Sequence, residues 1–295
     1  MPFIDSFSEQ HFAVPIERRS QYRDDVNNGR QVMRRRRAVI CGLARNTAGV
    51  LPATIARIER LGENFQDYRA VIFENDSEDD TREILLDWQG TNKRVSILCE
   101  DLGDPIHRPI RCVHRAASMA HYRNRCRDFI ASHFSHFDHV IVIDTDIPFG
   151  WSSDGIANTF GHLGWDFVGS YGILEKACWG KNELIHYDSW AFREKGSYDP
   201  IPTAVVNRMH WRRGTPMFEV YSCFGGLGIY RMSAMLACRY DGSDCEHVSF
   251  HRRMRSAGFD RLYLNPSQMT FYGTRPSKIT RICHRISNHL VRRAA

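Results

Sequence analysis

From Ala38 to Asp146 the chain alternates short apolar runs with stretches of helical spacing, and this alternation narrows the fold more than any other feature. "AVICGLARN" (Ala38 to Asn46) reads as a buried strand running into a loop, after which Leu51, Ile55, Ile58 and Leu61 recur at helical intervals. "RAVIFEND" (Arg69 to Asp76) is a second buried strand. "SEDDTREILLDW" opens with a Ser77-x-x-Asp80 capping pattern and continues as a helix, and "RVSILCE" is a third strand. A long helix over about 115–134 follows, then the strand "HVIVID". Parallel strands need crossovers, so this order predicts an α/β domain with a mostly parallel central sheet and helices on both faces. In such sheets ligands bind beyond the carboxyl ends of the strands. Asn46, Glu74, Asn75, Asp76, Asp144 and Asp146 all fall there, which predicts that they share one crevice.

The second half is less regular. "WDFVGSYGIL" and "RLYLNP" read as strands, "EVYSCFGGLGIYR" as a Gly-broken β segment, and "DCEHVSFHRRMRSAG" as a helix. Residues 175–218 show no clear period, and a long irregular segment in a compact domain usually carries function or moves. Residues 1–36 are polar, end in "MRRRR", and read as a basic arm or loose extension. Residues 276–295 place Ile279, Ile282, Ile286 and Leu290 on one side and arginines on the other, which predicts a basic amphipathic helix. The expected division is therefore an arm (1–36), one domain (37–275) and a terminal helix (276–295).

The 40 Lys and Arg against 34 Asp and Glu leave a net charge of +6, which favours an anionic partner. Either basic end could meet an anionic membrane surface. No apolar run is long enough for a signal peptide or a membrane span, so the expected location is the cytoplasm, with the inner face of the plasma membrane as a peripheral site. The nine cysteines are never spaced C-x-x-C, which excludes the common zinc and redox motifs.

"HVIVIDTDIPFGW" carries the chemistry. An apolar strand delivers Asp144 and Asp146, and Pro148 and Gly150 turn the chain away. Two hard carboxylates at a strand end suit Mg²⁺ or Mn²⁺ shared with a diphosphate. The plain alternative is a turn whose aspartates bind backbone amides. In "MAHYRNRCRDFI", Arg123 and Arg127 lie one helical turn apart and could reach a phosphate. Glu74 or Asp76 at the second strand end could meet a nucleoside. In "DCEHVSFH", Glu246 is a candidate general base and His247 a candidate third metal ligand, with His251 one turn on.

The run "ARN", "ENDSEDDTREIL", "VIDTDI", "WDFVGSYG", "YDSWAFR", "CFGGLGIYR" and "CEHVSFHRRM", taken in that order, resembles glycosyltransferases of the GT-A fold. It is most similar to the capsule-associated α-mannosyltransferase family first described in cryptococcal fungi, over roughly residues 38–272. The resemblance implies a GDP- or UDP-sugar donor, a divalent metal on Asp144 and Asp146, and transfer to a hydroxyl of a glycan or lipid-linked saccharide in surface polysaccharide synthesis. Mannose and retention of configuration are also implied. It further implies that Gly225, Gly226 and Leu227 border the donor and acceptor sugars, that Asp188 and Trp190 lie near the sugars, and that Glu246 and His247 stand where a catalytic acid or late metal ligand is found. Asp188 joins Glu246 as a candidate catalytic residue, and Asn46 and Arg123, from their strand-end and helix positions, are expected to contact the donor. Members of the fungal family carry a membrane anchor, which this chain does not show.

Two other readings use the same features. A nucleotidyltransferase would also place carboxylates and metal at strand ends, but it usually has a glycine-rich loop after the first strand, where "CGLARN" offers only Gly42. A non-catalytic module binding membrane or an anionic polymer would draw on the basic ends. Nucleic acid is not an expected partner, since uncompensated aspartates repel a phosphate backbone.

Overall fold

The computed structural model describes residues 7–107, 110–178 and 181–275. In chain order the elements are α1 (Arg19–Met33), β1 (Arg37–Ala44), α2 (Leu51–Gly62), β2 (Asp67–Asn75), α3 (Thr81–Thr91), β3 (Val95–Glu100), α4 (Val113–His133), β4 (His139–Asp144), α5 (Ser153–Phe160) and β5 (Phe167–Cys178). They continue with β6 (Lys181–His186), β7 (Arg193–Glu194), α6 (Thr203–Val206), β8 (Phe218–Ser222), β9 (Leu227–Arg231), α7 (Met232–Leu236), α8 (Glu246–Ser256) and β10 (Leu262–Arg275).

One sheet joins these strands in the order β3-β2-β1-β4-β9-β5-β10-β8-β7, with β6 paired to β5. Strands β1 to β4 are mutually parallel, and β5 is parallel to β10. The strands β6, β8 and β9 run antiparallel to their neighbours. The sheet is thus mixed but mostly parallel, as the strand–helix alternation predicts.

Alternating side chains feed two cores, one on each face, because successive residues of a strand point to opposite sides. Val39, Cys41, Val71, Phe73, Val140 and Val142 pack with Cys126 and Ile130 of α4 and with Val248, Phe250 and Met254 of α8. Ala38, Ile40, Ala70, Ile72, Ile141 and Ile143 pack with α2, α3 and α5 through Ile58, Leu61, Leu85, Trp88 and Phe160. Each fully buried Ile or Phe contributes about 1.5–3 kcal/mol. The central strands therefore cannot shift register by one residue without exchanging the two cores.

The structure changes three local expectations. The stretch read as a loose arm is largely packed. Tyr22, Val26, Gly29 and Met33 form the buried face of α1, and Phe7 and Phe12 enter the core. Arg213 fastens this segment by donating to the Glu9 and Phe12 carbonyls, to Tyr22 Oη at 2.6 Å and to Ser152 Oγ at 2.7 Å. Next, α3 starts at Thr81, not at Ser77. Asp79 accepts from the Thr81 N–H and hydroxyl, while the Ser77 N–H is taken by Glu74. Third, the aperiodic 175–218 stretch holds β6, β7 and α6, joined around an aromatic cluster of Tyr171, His186, Phe192 and Trp211. The amphipathic helix expected at 276–295 lies outside the described residues. No helix among the described residues is long and apolar enough to cross a membrane.

Candidate active site

The chain winds from β1 outward to β3, then crosses back to place β4 on the other side of β1. The carboxyl ends of β1 and β4 therefore diverge at a topological switch point, where a crevice must open. A cavity of about 560 Å³ lies there. Its walls include Asn46 after β1, Asn75 at the end of β2, Arg123 of α4, Asp144 and Asp146 from β4, Gly226 before β9, and Glu246 and His247 at the start of α8. Asp188 and Trp190 line the far side.

Parallel pairing sets Asp144 opposite Leu43, and its N–H donates to the Gly226 carbonyl at 2.8 Å. The carboxylate has two partners. Tyr272 Oη donates to Oδ2 at 3.1 Å, and Arg123 Nη2 stands 3.5 Å from Oδ1. Its side chain is 30% exposed toward the cavity and otherwise enclosed. That enclosure pushes its pKa up to about 7; Arg123 opposes the shift and Asp146 adds to it. Asp146 is exposed on the cavity side, and among the described residues no other residue donates a hydrogen bond to its carboxylate.

Arg123 is buried and shared. Its Nε donates to Glu246 Oε1 at 3.1 Å, and its guanidinium lies 5.1 Å from the Phe224 ring centre. His247 stacks on Phe224 at 3.8 Å, and among the described residues neither of its buried ring nitrogens has a hydrogen-bond partner. Burial holds this imidazole neutral, with its pKa well below the ordinary value. Asp188 uses both oxygens on backbone: Oδ1 accepts from the Ala191 N–H at 3.1 Å and Oδ2 from the Gly225 N–H at 2.8 Å. It clamps the 187–191 segment onto the Gly225–Gly226 turn, where both glycines have positive φ.

No family model matches this chain, and no curated protein matches it. Solved structures do. A structure of GalNAc-T7 with UDP, GalNAc and Mn²⁺ superposes with a TM-score of 0.50 at 10% identity, over 93% of this chain and 56% of that one. The chain has the GT-A fold. A mannosyltransferase from Pyrobaculum calidifontis, in complex with GDP-Man and Mn²⁺, gives a TM-score of 0.47 at 12% identity, over 87% of this chain and 66% of that one. Glucosyl-3-phosphoglycerate synthase from Mycobacterium tuberculosis, with UDP, gives 0.47 at 11% identity, over 86% and 76%. The chain thus spans less than two thirds of the first two structures it matches.

On this GT-A frame the expected site residues separate into two groups. Asn46, Arg123, Asp144, Asp146, Asp188, Gly226, Glu246 and His247 come together at the cavity, and Gly225 supports it from behind. Glu74 and Asp76 do not line it. Glu74 is fully buried, holding the Ser77 N–H and Arg82. Asp76 accepts the N–H groups of Leu102, Gly103 and Asp104, and so fixes the loop after β3. Arg127 is spent on the Cys238 and Leu236 carbonyls. His251 sits between Ser222 and Tyr230 in the core. Asn75 lines the cavity as its strand-end position predicts, and Tyr187 lines it within the YDSW motif, whereas Arg115 and Tyr272 have no local motif to mark them as site residues. Tyr187 stacks on Tyr272 at 4.0 Å, and Arg115 lies over the Trp190 ring at 5.0 Å.

A divalent ion fits the donor chemistry. Mg²⁺ and Mn²⁺ favour one or two carboxylates completed by water and phosphate oxygens, which Asp144 and the unpartnered Asp146 can offer. No group of three or more His, Cys, Asp and Glu among the described residues forms a ready-made metal cage. His247 lines the same cavity, and among the described residues neither of its ring nitrogens has a hydrogen-bond partner.

Proposed function

We propose that the chain is a metal-dependent glycosyltransferase that moves a sugar from a nucleotide-diphosphate donor to a hydroxyl of a glycan or lipid-linked saccharide. The observation that carries this reading is the delivery of Asp144 and Asp146 by one buried strand into the switch-point cavity, with no other described residue donating a hydrogen bond to the Asp146 carboxylate. Asp144, Asp146 and, at its edge, His247 would hold Mn²⁺ or Mg²⁺, which when bound neutralises charge on the leaving diphosphate. Asn46 and Asn75 offer amide groups to the nucleoside at the ends of β1 and β2, in place of Glu74 and Asp76. Arg123 holds Glu246 oriented beside the reacting centre through its Nε–H. Asp188 acts as a positioning residue, since both of its oxygens hold backbone. Trp190, backed by Arg115, offers a flat face to a sugar ring.

The order of sequence motifs supports mannose as the sugar, GDP or UDP as the carrier, and retention as the outcome. With retention the leaving phosphate can take the acceptor proton and no dedicated base is needed. With inversion Glu246 is the base. The proposed setting is surface polysaccharide synthesis at the inner face of the plasma membrane.

The test is a thermal-shift panel of sugar nucleotides with and without Mn²⁺, because a ligand that binds only the folded state raises the melting temperature. A donor that stabilises only with metal, and not in the Asp146→Ala variant, supports the reading. Full metal-dependent transfer by Asp146→Ala would sink it.

A further inference from the structure

Nine large hydrophobic side chains are exposed among the described residues, and they are not evenly spread. Leu102, Ile106, Ile110 and Val113 fall within one stretch of chain between β3 and the first turn of α4. Ile106 and Ile110 are 58% and 57% exposed, yet both also line the cavity, so they form its rim. Tyr187, on the other wall of the same cavity, is 44% exposed. An apolar rim around a polar cavity is costly in water unless something covers it.

Polar anchors hold this rim in place. Asp76 ties down the backbone of Leu102 and Gly103. Arg45 donates to the Asp104 and Pro105 carbonyls, Tyr122 donates to Asp104 at 2.5 Å, and Arg111 reaches Ser189 on the opposite wall. With the polar groups turned inward, the aliphatic side chains are left outward.

Charge selects the occupant. From Pro105 to Arg127 the sequence has no Asp or Glu. Arg123, Arg125 and Arg127 are taken up by Glu246, Glu100 and backbone carbonyls, but the basic residues at the rim itself are not offset by an acid within this stretch, the nearest in sequence being Asp104 and Asp101 before it. Arg111 and His114 in this stretch are themselves exposed. From Ile106 to Val113 the aliphatic side chains alternate with basic residues and no acid lies among them, which matches the interfacial layer of an anionic bilayer, where apolar insertion and headgroup attraction add. We propose that the cavity rim formed by Ile106, Ile110 and Val113 docks on an anionic lipid surface and turns the cavity mouth toward it. This inference does not depend on the reaction assigned to the cavity.

The test uses the full chain and sedimentation with vesicles of phosphatidylcholine alone or mixed equally with phosphatidylglycerol. Binding is expected to the mixed vesicles only, and to weaken in high salt. The triple variant Ile106→Ser, Ile110→Ser, Val113→Ser should bind at least tenfold more weakly while keeping its near-UV circular dichroism. A separate Ile110→Trp variant should show blue-shifted emission with mixed vesicles, which reads insertion at the rim independently of the basic residues 276–295. Equal binding by wild type and triple variant, or no emission shift, overturns the proposal. So does a wild-type dimer in sedimentation velocity that the triple variant abolishes, since a second copy would then be the occupant.

Discussion

Removing the Arg123 charge tests the architecture of the site without assuming its reaction. Arg123 and Glu246 are 8% and 6% exposed and meet at 3.1 Å. Replacing Arg123 with Met keeps much of the volume but leaves Glu246 enclosed with no cation. Its nearest remaining polar neighbours are a cysteine thiol at 3.7 Å and an imidazole at 3.5 Å that burial keeps neutral. Breaking a buried pair from one side costs about 3–5 kcal/mol. At about 2–4 °C per kcal/mol, Arg123→Met should lower the melting temperature by roughly 6–20 °C. Glu246→Gln should cost less, about 1–3 kcal/mol, because Arg123 retains Asp144 3.5 Å away. The double variant should cost less than the sum, with a coupling of about 1–3 kcal/mol, because it strands no charge. Urea denaturation of the four proteins measures all three values. Strict additivity, or an Arg123→Met cost below about 1 kcal/mol, would refute the reading of Arg123 as a shared internal counter-ion.

Three further outcomes are expected. Asp146→Ala should leave stability within about 0.5 kcal/mol of wild type, since no partner is lost, while removing the Mn²⁺-dependent part of any thermal shift; calorimetry with and without metal checks both. Gly226→Ala should cost about 1–3 kcal/mol, because φ is +86° and a Cβ would collide with the Tyr272 hydroxyl that donates to Asp144. Gly103→Ala, also at positive φ but facing open space, isolates the backbone cost, and a larger loss there than at Gly226 would contradict the collision. Stability should fall with acid: burial lowers the pKa of His139 to about 4 and of His186 to about 3, from 6.5. The stability each lends is therefore complete above pH 6.5 and is lost as pH falls toward 4 and then 3. His186→Phe should flatten the urea midpoint between pH 7 and 5, and an unchanged slope would rule this group out as a cause.

What the sequence disclosed follows the range over which its signals act. The strand ends at Asn46 and at Asp144 and Asp146 were readable because a buried parallel strand is an uninterrupted apolar run, and its end shows as a change of polarity. The helix α1 was also encoded, in the spacing of Tyr22, Val26, Gly29 and Met33, but the surrounding charge masked it. Glu74 and Asp76 sit at a strand end as expected and still miss the cavity. Their oxygens are claimed by Arg82 and by backbone amides some 26 to 28 residues onward, and nothing local announces that claim. Tyr272 reaches Asp144 across 128 positions, and Arg213 reaches Glu9 across 204. Contacts of that kind exist only once the sheet has closed around them.

Compensation of the acidic groups thins out from the interior of the cavity toward its mouth. Asp188 is satisfied by two backbone N–H groups and Glu246 by Arg123. Asp144 has a tyrosine hydroxyl and only a long contact to the same arginine, and among the described residues no other residue donates to Asp146. A free nucleoside diphosphate approaching Asp146 would meet like charge and be repelled. A divalent cation reverses that sign, so the donor should bind with the metal or after it, and not before. UDP or GDP alone should then leave the melting temperature unchanged, while the same nucleotide with Mn²⁺ raises it. A metal-free nucleotide shift of equal size would mean that Arg115, Arg123 and the basic rim suffice to hold the diphosphate, and that Asp144 and Asp146 serve another purpose.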